Sequence, residues 1–363
     1  MAARDGGSMQ QAMTLDLDNG RATLGGQAST FGRIGRPGVG RAIVIAGLAG
    51  YAAVLAAVWW GVTHLLPDHV TLTLFGHTRD LKDVHQRIIS NVALMLLILP
   101  SALWIECVAV GWDRSSARQL IFGRTRSINT DLACLFFGQA HVLDMLGRLM
   151  TLGASMLSGL WIRDRLAAWF GLSIDPSALP LVLQVVIFFF VYSFFDYWTH
   201  RLDHSRYFWP LHRYHHAADD FCVVNSTRTH PAAFTAIFLI NMPMAVLGAS
   251  PLVMVYVNVV TIALGFLIHS RIDSDFGWVG RWIIQSPNHH RLHHVLDVSE
   301  GVSHFGMAPV WDHLFGTWRG DADPSLVIGV ETPYRHGFWI GPDLLRDYCD
   351  FWKGFVARTP AQA

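Results

Sequence analysis

The sequence predicts an all-α, polytopic membrane fold: about four long spans, a helical hairpin and a cytoplasmic, histidine-rich cap that binds metal. Three observations carry that expectation. Hydrophobic residues make up 52% of the 363 residues and Asp, Glu, Lys and Arg only 15%, well under the ~25% charged content of a typical soluble domain; mean hydropathy is +0.33. Several runs reach the ~20 apolar residues that a helix needs to cross a bilayer. Thirteen of the 19 histidines fall between His200 and His313, in the stretch that begins where the fourth of those runs ends.

In chain order, residues 1–38 are polar and Gly-rich, with no long apolar core followed by a small-residue cleavage site. They read as a disordered N-terminal tail and not as a signal peptide. Residues 39–178 form a segment of membrane spans and loops. Ala42–Val62 carries no charge, and Ile88–Ile105 ends at Glu106. Leu132–Leu160 holds Asp144 and Arg148 four apart, a spacing that pairs them on one helix face. Residues 179–320 form the histidine-bearing domain, opening with the span Leu179–Phe195. Ala232–Ile268 is 37 residues without Asp, Glu, Lys or Arg, too long for one crossing of ~20. Gly248-Ala-Ser-Pro251 near its middle predicts a turn and hence a hairpin. Residues 321–363 form a C-terminal cytoplasmic tail.

Arg33, Arg36 and Arg41 before the first span, and Arg114, Arg118, Arg124 and Arg126 after the second, place both flanks inside by the positive-inside rule. The expected location is a bacterial plasma membrane with the site on its cytoplasmic face. Lys+Arg and Asp+Glu balance at 27 each, leaving no basic excess for nucleic acid. The four cysteines are scattered with no C-x-x-C pair, which argues against a disulfide framework or a zinc ribbon.

The histidines fall in three clusters: His200-Arg-Leu-Asp-His204, His212-Arg-Tyr-His215-His216 and His290-Arg-Leu-His293-His294. Separations of three and four residues put the rings on one helix face. One helix can then give two ligands to one ion, and neutral imidazole suits zinc, copper, iron or nickel. Eight imidazoles exceed what one ion takes, so two metals are expected. A zinc protease would need HExxH, but Arg201 follows His200 and no glutamate follows His212 or His290. A metal transporter would carry its ligands near the bilayer midplane, whereas these lie at span ends. A membrane metal-binding protein without redox chemistry (a zinc hydrolase or transporter) is the alternative to an oxygen-activating enzyme.

Asp196-Tyr-Trp-Thr-His200-Arg-Leu-Asp-His204, Leu211-His-Arg-Tyr-His-His216, Pro287-Asn-His-His-Arg-Leu-His-His294 and Trp311-Asp-His-Leu-Phe-Gly-Thr-Trp318 occur in that order. Over about Phe188–Arg319 the chain resembles the sterol desaturase / fatty acid hydroxylase superfamily of integral membrane di-iron enzymes. The resemblance implies two Fe ions held by His200, His204, His212, His215, His216, His290, His293 and His294, with O2 as co-substrate. Purification could exchange the iron for zinc. His230, in Arg-Thr-His230-Pro, and His269, at the hairpin's end, match further family positions. His289 points about 100° away from His290 on a helix and stands outside the set. The chain reads Ser303-His-Phe-Gly306 where the family commonly has Asn-Tyr-Gly before the closing motif. Asp196, Asp203 and Asp312 are candidates for carboxylates that orient ligand imidazoles.

The implied reaction is oxygen-dependent hydroxylation or desaturation of a fatty acyl, sterol or related lipid. No flavin or cytochrome motif is visible, so electrons are expected from a separate ferredoxin, or from a b-type cytochrome with its reductase. Lipid is expected to enter laterally, with some of Phe188, Phe189, Phe190, Phe194, Phe195, Phe266 and Leu267 lining the route.

Overall fold

The structure is a computed structural model, and it describes residues 15–16, 21–22, 32–33, 41–74, 77–81, 84–139, 158–172, 174–233, 235–296, 303–320 and 327–356. Helices dominate: α1 Arg41–Leu65, α2 Val84–Val110, α3 Ser116–Phe122, α4 Arg126–Gln139, α5 over 158–170, α6 Leu181–Asp203 and α7 Trp209–His216. They continue with α8 Thr235–Val246, α9 Pro251–Ile268, α10 Gly277–Trp282, α11 Pro287–His293, α12 Val310–Phe315 and α13 Gly341–Val356. The strands form two-stranded pairs, among them a hairpin of Val70–Leu74 with His77–Leu81 and a parallel pairing of Gly32–Arg33 with Ile272–Asp273.

Among the described residues, α6 is the one helix long and apolar enough to cross a membrane; Ala49–Leu65, Leu97–Val110 and Leu252–Ile268 are shorter apolar stretches. The expected span Leu132–Leu160 falls largely on residues 140–157, outside the described residues, as does its Asp144–Arg148 pair. The 37-residue apolar run folds as a hairpin, α8 and α9, as its turn residues predict. Gly248 supplies the reversal at φ 85°, a conformation open to glycine at little cost. Ser250 then caps α9 by accepting from the Val253 N–H, with Pro251 in the first turn where its missing donor does no harm.

α6 packs along α8 and α9, burying Phe188, Ile240, Met244, Val253 and Val257 in one apolar core. The N-terminal helices join this unit through buried charge. Glu106 at the end of α2 accepts from the Ser116 and Arg271 backbone N–H groups. Asp131 of α4 pairs with the fully buried Arg228 at 2.6 Å and accepts from the Asn225 amide. Arg228 also donates to the Ala217 and Ser127 carbonyls. A buried guanidinium is tolerable only when paired and hydrogen-bonded in this way.

Candidate metal centre

Nine of the ten expected histidines converge in two groups. His200, His204, His212, His216 and His293 form one; His215, His269, His290 and His294 form the other. Within each group one ring nitrogen per residue lies within 4.8 Å of all the rest. Opposite ligands around an ion at ~2.1 Å would stand roughly 4.2 Å apart, so each group has the spread of a single coordination sphere.

Local structure delivers the rings. α6 ends on its HxxxH, one turn of helix that presents His200 and His204 together. α7 and α11 are short helices of 8 and 7 residues with proline in the first turn. Ser286 caps α11 by accepting from the His289 N–H at 3.2 Å. Each short helix serves both groups. α7 gives His212 and His216 to the five-histidine group and His215 to the other; α11 gives His290 and His294 to the four-histidine group and His293 to the first. His216 and His294 stack where the helices meet, centroids 4.1 Å apart. His269, the residue that closes α9, completes the second group.

Backbone carbonyls fix four of the rings. His200 Nδ1 lies 2.8 Å from Phe305 O, His293 Nδ1 2.7 Å from Ser303 O, His215 Nδ1 3.1 Å from Arg228 O and His269 Nδ1 2.7 Å from Gly265 O. A carbonyl can only accept, so Nδ1 carries the proton and Nε2 turns its lone pair into the cluster. The Nε2 atoms of the five-histidine group crowd accordingly: His212 stands 3.1 Å from both His200 and His216. In the other group His290 stands 2.9 Å from His269 and 3.1 Å from His294. Among the described residues, buried His204 Nε2 and His293 Nε2 have no hydrogen-bond partner. Buried imidazole nitrogens without a donor are costly unless something electrophilic binds them, so the residues fit a pair of divalent transition metals.

Burial holds the imidazoles of His212, His215, His216, His290, His293 and His294 well below their ordinary pKa, and that of His269 at about 4. They are therefore neutral, the form that ligates.

The remaining expected residues stand elsewhere. His230 joins neither group: its Nε2 donates to Leu344 O at 2.9 Å and its Nδ1 accepts from the Ala232 N–H at 3.1 Å, so both ring nitrogens are used structurally. His289 is also apart, as expected, with Nδ1 on Ser286 Oγ and its ring stacked on His304. Asp312 orients no ligand ring directly. Its buried carboxylate accepts from the Phe305 and Gly306 N–H groups and from Thr317 Oγ1. It thereby holds the strand of backbone whose carbonyls grip His200 and His293. Asp196 and Asp203 line a cavity beside the rings, and Asp196 accepts from the Met307 backbone.

Sequence reasoning missed the Ser303–Phe305 backbone clamp, although the departure from Asn-Tyr-Gly marked its position. His304 lies fully buried between the two clamping carbonyls with φ 57°. This left-handed turn points the flanking carbonyls at two ligands of one group. Asparagine and histidine adopt it more readily than most residues.

A cavity of about 580 Å3 opens onto both groups, touching His200 and His212 of one and His215, His269 and His290 of the other. Tyr192, Asp196, Thr199 and Asp203 line it from one face of α6, and Asn258, Thr261, Ile262, Gly265 and Ile268 from one face of α9. None of the phenylalanines expected on the entry route lines it. Phe188 packs in the α6–α8–α9 core, Phe266 against Ala102 and Val223, and Phe194 on Trp311 and Phe315. The face of α6 that meets the cavity carries Tyr192, Asp196, Thr199 and Asp203 and not the phenylalanines.

Residues 185–317 match the fatty acid hydroxylase family. The ornithine lipid hydroxylase OlsE of Rhizobium tropici is 32% identical over 167 residues, 45% of this chain and 50% of that protein. The alkylglycerol monooxygenase of Xenopus tropicalis is 27% identical, over 38% of this chain and 30% of that one. The C-4 methylsterol oxidase erg25 of Schizosaccharomyces pombe is 27% identical, over 44% and 56%. The chain thus covers about half or less of each relative's length. No solved structure matches it significantly. The histidine boxes, in order, lie within a stretch that matches the fatty acid hydroxylase family, and the three relatives are consistent with that likeness.

Proposed function

We propose that the protein is an integral membrane oxidoreductase that hydroxylates or desaturates a lipid at two iron ions on the cytoplasmic face of a bacterial plasma membrane. The observation that carries this reading is that two groups of buried and half-buried imidazoles open onto one cavity of about 580 Å3, within the usual range for a bound organic ligand. The named relatives act on an ornithine lipid, an alkylglycerol and a methylsterol, and their shared chemistry supports a lipid substrate here.

His200, His204, His212, His216 and His293 would hold one iron and His215, His269, His290 and His294 the other. Bound there, the iron pair supplies O2 activation and oxidation of an unactivated C–H bond. The protein's part is placement. The facing stripes of α6 and α9 hold the substrate carbon beside the Nε2 atoms, and the carbonyl clamps keep His200, His293, His215 and His269 in the ligating tautomer. In this reading α6 crosses the bilayer with the N-terminal helices and the α8–α9 hairpin around it, and electrons come from a separate ferredoxin or b-type cytochrome.

Lipid profiling of cells with and without the gene, grown under ¹⁸O₂, tests the proposal. A gene-dependent lipid carrying ¹⁸O in a new hydroxyl, or a new double bond formed only with O2, is expected. Identical lipid profiles, together with stoichiometric zinc and a hydrolysed product, would overturn it.

A further inference from the structure

The C-terminal helix α13 does two jobs on two faces. Its inner face is bolted to the metal-bearing helix α7. Arg213 of α7 donates to Asp347 at 2.7 Å and also reaches Asp350, while Tyr334 donates to Asp347 at 2.6 Å. Phe351 packs against Leu211 and Ala232, and Leu344 joins the cluster around Cys134 and Tyr214. Leu211, Cys134 and His230 also line the large cavity, so this helix backs its wall.

The outer face is apolar where a water-facing helix would be charged. Leu345, Cys349, Trp352 and Val356 follow at intervals of four, three and four residues, one stripe on a helix. Leu345 is 63% exposed, Trp352 51% and Val356 80%, with Phe355 at 52% beside them. Just before the helix, Trp339 is 79% exposed. The helix's carboxylates do not share this face. Asp343 and Asp347 are buried and Asp350 is held between Arg213 and Lys353. Lys353 is the exposed charged residue of the helix.

This stripe adjoins the end of the membrane-crossing helix. Phe355 stacks on Tyr207, centroids 5.3 Å apart, four residues beyond the end of α6. There Trp198 and Leu202 are exposed beside the exposed cations Arg201 and Arg206. Exposed aromatics mixed with Arg and Lys, with the acids turned inward, are the composition of the bilayer headgroup layer, and the cations favour an anionic leaflet. We infer that α13 lies flat in the headgroup layer of a phospholipid bilayer, beside the exit of α6, and sets the cavity wall at that level. The inference rests on the reading of α6 as a span.

Cys349 sits on the stripe and is exposed, whereas Cys107, Cys134 and Cys222 are buried, so a nitroxide label can be attached at Cys349 in the metal-loaded protein. In vesicles of phosphatidylcholine and phosphatidylglycerol, its spin relaxation is compared with O2, which concentrates in lipid, and with a water-soluble nickel chelate. Relaxation dominated by O2, with loss of response to nickel, is expected. Strong nickel relaxation would put the face in water and overturn the inference; poor access to both with spin–spin broadening would instead put a second copy of the chain on it. The same measurement with Val186→Cys in a Cys349→Ser background, on an exposed position of α6, separates the two readings. Lipid at position 186 with water at 349 removes this inference alone; water at both removes the span as well.

Discussion

The two HxxHH boxes have identical spacing, yet the structure uses them in opposite senses. In α7 the outer pair, His212 and His216, goes to the five-histidine group and His215 crosses to the other. In α11 the outer pair, His290 and His294, goes to the four-histidine group and His293 crosses. The pseudo-symmetry ends with the third contributor. α6 adds two rings to one group, whereas the end of α9 adds the single ring of His269 to the other. The five-ring group has a spare ligand and the four-ring group has none, while each has two rings held by backbone carbonyls: Ser303 and Phe305 in the first, Arg228 and Gly265 in the second. Redundancy in a metal site is thus set by which helix happens to end there, not by the boxes themselves.

The largest expected effect tests that asymmetry. His269→Ala should abolish turnover and lower metal content from two ions per chain to one. His204→Ala, which leaves four rings, should keep both ions while weakening turnover. Elemental analysis of both variants decides it, and equal metal loss in the two would erase the distinction.

A smaller effect should follow from the clamp. His304→Val puts a β-branched residue at φ 57°, where such side chains are strained by ~1–3 kcal/mol. It should cost 10–100-fold in activity or metal affinity, about what lost outer-shell support costs elsewhere, and only at the five-ring group. His304→Asn, which tolerates the same φ, should restore function. Metal titration of the two variants tells a clamp from mere core filling.

Acid acts on both groups. The folded-state pKa values of the box imidazoles lie below the ordinary value of about 6.5, with His269 at about 4. Between these limits the unfolded chain binds more protons than the folded one. Stability present above about pH 6.5 should therefore fall as the pH drops towards 4, and metal-free protein should show a lower Tm at pH 5.5 than at 7.5. Bound metal should oppose the fall. A flat Tm profile for the metal-free protein would mean that the rings are not buried neutral.

The smallest effect is expected at His230, which lies outside both groups. His230→Ala should retain both ions and lose stability by about 1–3 kcal/mol through its unpaired partners at Ala232 and Leu344. Loss of an ion would return it to the ligand set.

The boxes were legible because helical spacing alone decides which rings share a face. The hairpin was legible because Gly248 and Pro251 interrupt an uncharged run. The division of rings between groups was not, since it depends on how α7 crosses α11, and no local pattern encodes a crossing. His230 and His269 look alike in sequence, each a lone histidine near a histidine-rich stretch. Only the position of Leu344, more than a hundred residues away, occupies one of them. The phenylalanines expected along the route are missing from the cavity wall for a related reason. Aromatic content marks α6 as apolar but does not say which stripe faces a neighbour, and the cavity runs along Tyr192, Asp196 and Thr199 instead.

The buried pairing of Asp131 with Arg228 has a consequence for anyone who would excise the histidine-bearing part. The matched region, 185–317, contains Arg228 but not Asp131, its partner from α4, nor Glu106 of α2, which accepts from the Arg271 backbone N–H. A fragment cut at that border would bury a guanidinium with no counter-charge, at a spot whose carbonyl also steadies His215. Breaking such a pair typically costs ~3–5 kcal/mol, a large share of what keeps a domain folded. The edge of the recognisable motif is therefore not a seam of the molecule, and transplanting the two histidine groups into another scaffold would require carrying the first helices along with them.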